Sequence, residues 1–129
     1  MGKVGKEERR REEEMRSLLF ALLRAQGDPF RPDVREHGLD ERDLAFEADL
    51  ILPAEMEVAV YATQKRSQIL SLLRTLHGRG LIEYTPTPPL GTYRVRLTPL
   101  GYETALRLFR PRPWWGRLMD LFRRTPPPP

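Results

Sequence analysis

Apolar side chains recur along the chain in blocks whose spacing changes from helical to alternating and back. Met15, Leu18, Leu19, Leu22 and Leu23 fall at the spacing of one helix face, and Phe20, Ala21 and Ala25 widen the stripe. With the helix-favouring charged run Glu7 to Glu14 ahead of them, they predict a helix over 7–26. A helix so apolar in its second half buries more than one face, against its own domain or against a second copy. Gly27, Asp28 and Pro29 end it, and 27–39 reads as a linker with Pro32 and Gly38. Asp40 is placed to cap a short helix over 41–48, with Leu44, Ala45 and Leu50 inward. The stretch 54–62 is ambiguous: Met56, Val58 and Val60 alternate as in a strand, whereas Val58, Ala59 and Ala62 suit a short helix, and context favours the helix.

The second half is patterned more sharply. Ile69, Leu72, Leu73 and Leu76 follow the i, i+3, i+4, i+7 rule and predict a helix over 64–78, capped by Thr63 or Ser67 and ended by Gly78 and Gly80. Leu81, Ile82 and Tyr84 read as a short strand, and the proline-rich 85–91 as a loop. In Thr92 to Leu97 the residues Tyr93, Val95 and Leu97 alternate with Arg94 and Arg96, which predicts an amphipathic strand and, with the first, a hairpin. Thr98 and Pro99 open another helix, along which Leu100, Ala105, Leu106 and Phe109 run. Arg110-Pro-Arg-Pro113 breaks the chain. Trp114 to Arg124 is then amphipathic, with Trp115, Leu118, Met119 and Phe122 on one face, before four closing prolines. The expected organisation is an N-terminal helix and linker over 1–40, a central domain over 41–110, and an amphipathic segment with a polyproline tail over 111–129.

Composition removes several classes of chemistry. The 129 residues include no cysteine, so disulfides, zinc–thiolate sites and thiol catalysis are excluded. His37 and His77 stand forty residues apart, no carboxylate pair is spaced for acid–base work, and Gly78 and Gly80 sit at a helix end rather than in a phosphate loop. No enzymatic activity, metal or cofactor is expected. There is no run of 18 apolar residues and no secretory pattern at the N-terminus, so integral membrane association is not expected and the cytoplasm is the default compartment. Charge is uneven: residues 1–53 hold 10 basic and 13 acidic side chains, residues 54–129 hold 12 and 5. Nineteen of the 22 basic residues are arginine, whose planar fork suits phosphate, although a biased genome gives the same usage. A basic half of this kind permits a polyanionic partner.

Two segments carry a family resemblance. Residues 69–84, ILSLLRTLHGRGLIEY, resemble the recognition helix and first wing strand of MarR-like and PadR-like bacterial regulators. Residues 93–106, YRVRLTPLGYETAL, are similar to the second wing strand of those families, the Leu-Thr-Pro-x-Gly that follows it, and the next helix. Together the matches cover about residues 54–107. The resemblance implies a mostly α fold with a small β-hairpin wing, a winged helix-turn-helix. It implies a homodimeric transcriptional regulator bound to double-stranded DNA. Departures are a poorly matching helix at 54–62, Thr63 where a turn glycine is frequent, and a wing tip without arginine.

In such a fold Gln64, Lys65, Arg66, Ser67, Gln68 and Ser71 belong to the part of the recognition helix that meets base edges, with Arg74 and Arg79 placed for phosphate. Arg94 and Arg96 project from the second wing strand towards the backbone or towards solvent. Leu18, Leu19 and Leu22 are candidates for a dimer contact, and Trp114, Trp115, Leu118 and Phe122 for a second subunit, a protein partner, a membrane surface or the first helix of the same chain. The alternative function is a winged-helix protein-interaction module in a replication, transcription or partition assembly. It is favoured by the bare wing tip, the acidic first half and the tryptophan-bearing tail.

Overall fold

A computed structural model describes residues 2–87 and 91–109. The described residues are mostly helical, with one small antiparallel sheet among them. Helix α1 (Gly2–Gln26) is followed by α2 (Pro32–His37), strand β1 (Leu39–Asp40), α3 (Glu41–Glu47) and a 3-10 turn (Pro53–Met56). Then come α4 (Val58–Val60), a π-helical turn (Tyr61–Lys65), α5 (Arg66–Gly78), β2 (Ile82–Thr87), β3 (Thr92–Leu97) and α6 (Pro99–Phe109).

The core draws on nearly all of these elements. Helix α1 buries Met15, Leu18, Leu19, Ala21, Leu22 and Ala25 against Leu44, Ala45, the α5 leucines, Val95 and Ala105. Its neighbours are α2, α3, α5, β3 and α6, which is why it is apolar on more than one face. The core therefore crosses position 40. Leu18 and Leu22 are completely buried and Leu19 nearly so, which corrects their expected place at a dimer surface: their own chain already covers them.

Segment 27–39 is more structured than a linker. Pro32 opens α2, which buries Val34, and Gly38 then passes against β3. Its φ of 83° and a space in which a Cβ would lie 2.6 Å from the Val95 carbonyl oxygen leave room for glycine alone. That approach allows Leu39 and Asp40 to pair with Val95 and Arg94 as a third strand, which the two-strand expectation lacked. The sheet order is β1-β3-β2. Two bonds flank the short β1: Gln26 Oε1 accepts from Leu97 N at 2.8 Å, and Glu41 Oε1 from Tyr93 N at 3.0 Å. The β3 amides beyond β1 thus find side-chain acceptors.

Asp40 caps α3 as expected, accepting from Arg42 N at 2.9 Å. The break expected between a helix at 54–62 and one at 64–78 is absent. Helix α4, the π turn and α5 follow one another directly. Thr63 Oγ1 donates back to the Ala59 carbonyl at 2.8 Å instead of capping a new helix. The wider turn has a packing reason. In a regular α-helix Tyr61 and Ile69 would point roughly 80° apart. The i→i+5 turn takes up an extra residue, and both side chains are buried.

Strand β2 runs on into the expected loop as far as Thr87, with Pro86 in it; Pro86 lies on an edge strand, where a missing N–H is tolerated. Thr98 caps α6, its Oγ1 accepting from Gly101 N at 2.9 Å and donating to the Gly80 carbonyl at 2.6 Å. No helix among the described residues is long and apolar enough to cross a membrane. The expected contacts Trp114, Trp115, Leu118 and Phe122 lie outside the described residues, as does the hairpin end at 88–90.

Candidate nucleic-acid interface

Helix α5 turns Ile69, Leu72, Leu73 and Leu76 into the core, so its far side faces outward. At 100° per residue that side comprises positions 67, 71, 74 and 78. Ser67 and Arg74 are exposed there and Gln64 is exposed in the π turn just ahead, and their side chains make no hydrogen bond or ion pair among the described residues. They form a short polar face at the head and middle of the helix.

The other expected contacts are tied into the fold. Arg11 of α1 reaches across α5, donating to the Ser71 carbonyl and Oγ at 3.1 Å each and to Thr75 Oγ1 at 2.7 Å. Gln68 Nε2 donates to Glu14 at 3.2 Å, and Arg79 forms a two-pronged pair with Glu12 at 2.6 and 3.1 Å. The N-terminal half of α1 therefore overlies one flank of α5. Arg79 holds the Glu12 carboxyl below the usual glutamate range, mainly through this hydrogen bond, and its own pKa is raised in return. The pair lies on the open surface, where such contacts contribute about 0–1 kcal/mol. Lys65 pairs with Glu55 at 3.3 Å. Arg94 donates to the Gly38 carbonyl at 3.2 Å, and Arg96 to the Glu36 carbonyl and to Glu83, both at 2.9 Å.

Arg66 serves the fold rather than an outer face. Its Nη2 lies 3.3 Å from Glu41 and also donates to the Gly91 carbonyl, so it links α5 to α3 and to the loop end of the hairpin. Glu41 is fully buried. Besides Arg66 it accepts from the Tyr61 hydroxyl at 2.6 Å and from Tyr93 N. One carboxylate thus joins the start of α3, the π turn, α5 and β3. The sequence offered no signal for it, since Glu41 stands in an acidic run that reads as solvated surface. Nor did spacing connect Arg11 with Ser71, sixty residues away.

Burial first, and then the Glu41 hydrogen bond and charge, push the Tyr61 hydroxyl above the ordinary tyrosine range. A pKa raised in the folded state adds stability that is complete below the unfolded value, about 10, and is lost as pH rises above it. We expect denaturant stability to fall above that pH, and the Tyr61→Phe chain to lose less over the same interval. Equal declines in the two chains would contradict this account of Tyr61.

The hairpin, whose strand β2 packs against α5, offers chemistry of a different kind. Residues 85–92, TPTPPLGT, contain no charged side chain. The outward side of α5 and the π turn ahead of it thus holds one arginine and two neutral polar residues without a hydrogen bond or ion pair among the described residues. Among the described residues no group of acidic or histidine side chains is arranged to hold a metal. No protein-family model, curated protein or solved structure matches the chain.

Proposed function

We propose that the chain is a winged-helix protein that binds double-stranded DNA and acts in transcriptional regulation. The observation that carries the reading is the outward face of α5 and of the π turn ahead of it, with Gln64, Ser67 and Arg74 uncommitted, held beside a hairpin in the element order α1-α2-β1-α3-α4-α5-β2-β3-α6. That order, with the sheet arranged β1-β3-β2, supports the winged-helix assignment, as does the resemblance of residues 69–84 and 93–106 to MarR-like and PadR-like regulators. In this reading Gln64 and Ser67 meet base edges in the major groove, and Arg74 meets phosphate. Arg79 joins it: its exposed pair with Glu12 is weak enough for a phosphate to compete.

The test is fluorescence anisotropy of a labelled mixed-sequence duplex over a range of salt. Wild type should bind more weakly as salt rises. Arg74→Ala should weaken binding on every sequence and reduce the log–log salt slope by about one. A folded wild type that fails to bind at low salt would overturn the proposal.

A second reading has its own support. Seven of the ten expected contact residues are engaged by the chain's own groups, and the hairpin end is uncharged. A winged helix used for protein interaction needs no free phosphate ligands. In that case Arg74→Ala leaves the molecule's binding unchanged, and a protein partner is held elsewhere on its surface.

A further inference from the structure

Helix α6 buries Gly101 and Ala105, yet on another side it leaves an apolar strip of Tyr102, Leu106 and Phe109. Tyr102 is 46% and Leu106 37% exposed. The spacing i, i+4, i+7 puts the three on one face, and Phe109 extends it to α1 by packing on Phe20, itself 41% exposed, with ring centroids 5.1 Å apart. The described part of the chain ends at Phe109, on the strip itself. Twenty residues follow.

We propose that residues 114–122 of the same chain cover this strip. Three features choose this occupant. Pro111 and Pro113 oppose continuation of α6, and the four residues 110–113 match the 2–5 residues that reverse direction between antiparallel helices. Trp114, Trp115, Leu118 and Phe122 recur at helical spacing as an apolar stripe. The lengths agree: as a helix 114–122 would span ~13 Å, and the strip from Tyr102 to Phe109 spans ~10 Å. The occupant is the segment joined directly to the strip, at the effective concentration that a short tether provides.

Both tryptophans of the chain lie in this segment, so intrinsic tryptophan fluorescence reports on it alone. The experiment measures emission and iodide quenching of the full chain at several protein concentrations, for wild type, Leu106→Asp and Tyr102→Asp, with far-UV circular dichroism as the check of folding. The expected result is a wild-type emission blue-shifted from that of the chain in guanidinium, with reduced quenching, both independent of concentration. Tyr102→Asp, at the more exposed position, should keep the helical spectrum and raise quenching to that of the denatured chain, and Leu106→Asp should do the same. Three results would overturn the proposal: native wild-type tryptophans quenched as in guanidinium, protection that survives both substitutions, or protection lost on dilution. The last would assign the strip to a second copy.

Discussion

Replacing Glu41 by alanine is expected to destabilise the protein by about 3–5 kcal/mol, the range for breaking a buried charge network from one side. The substitution removes the acceptor shared by the Tyr61 hydroxyl, the Arg66 guanidinium and the Tyr93 amide. It leaves a buried hydroxyl and a half-buried cation without that partner, and opens a cavity among α3, α5 and β3. Denaturant unfolding should show the loss as a lower midpoint at unchanged slope. Arg66→Ala should also destabilise, by about 3–5 kcal/mol, because it leaves the fully buried Glu41 carboxylate without its cation. A Glu41→Ala chain as stable as wild type would contradict the role given to this carboxylate.

The second large effect is expected at Gly101. A Cβ built there lies 1.8 Å from the Leu81 carbonyl oxygen and 2.7 Å from its carbon, both backbone atoms. The contact cannot be relieved by a rotamer change. The first turn of α6 must move away from the β2 end, and Thr98 gives up bonds on both sides: its amide to the Leu81 carbonyl and its hydroxyl to Gly80. Overpacking in a core costs roughly 1–3 kcal/mol and occasionally more. Gly101→Ala belongs at or above the top of that range because the obstacle is backbone. Alanine would ordinarily favour a helix over glycine by about 1 kcal/mol, so the sign of the measured change tests the close approach directly. A stabilised Gly101→Ala chain would rule it out.

The same glycine shows why part of this fold is legible in the sequence. Just before it, Leu97-Thr98-Pro99 encodes strand end, cap and helix start, each a local role, whereas the close approach of Gly101 itself is to Leu81, twenty residues earlier, and has no such local signal. The α5 leucines and the alternation of β3 are legible for the same reason, since helix and strand periods come straight from burial on one face. What was not legible depends on partners distant in sequence. Strand β1 has only two residues, and nothing in Leu39-Asp40 indicates a strand until Gly38 lets it approach Val95. The unbroken passage from α4 into α5 depends on Tyr61 meeting Glu41 twenty residues earlier, a pairing without a spacing rule.

The candidate site divides in the same way. That Ser67 and Arg74 face outward follows from the helical period alone, whereas Gln64 sits in the π turn, which that period does not describe. That Ser71 and Gln68 lie under α1 depends on how far α1 extends past the core, and the sequence of α5 does not contain that information. Arginine usage misled most: Arg66 looks like its neighbours on the exposed face, yet a buried carboxylate and a hairpin carbonyl hold it in place.

The central claim is that the outward face of α5 meets duplex DNA. Amide chemical-shift mapping of the labelled full chain, titrated with a mixed-sequence duplex at low salt, tests it most directly. The account predicts salt-sensitive shifts concentrated at Thr63, Gln64, Ser67 and Arg74, extending to Arg79 as it exchanges Glu12 for phosphate. A spectrum unchanged by the duplex, or shifts confined to α6 and the face around Phe20, would contradict it.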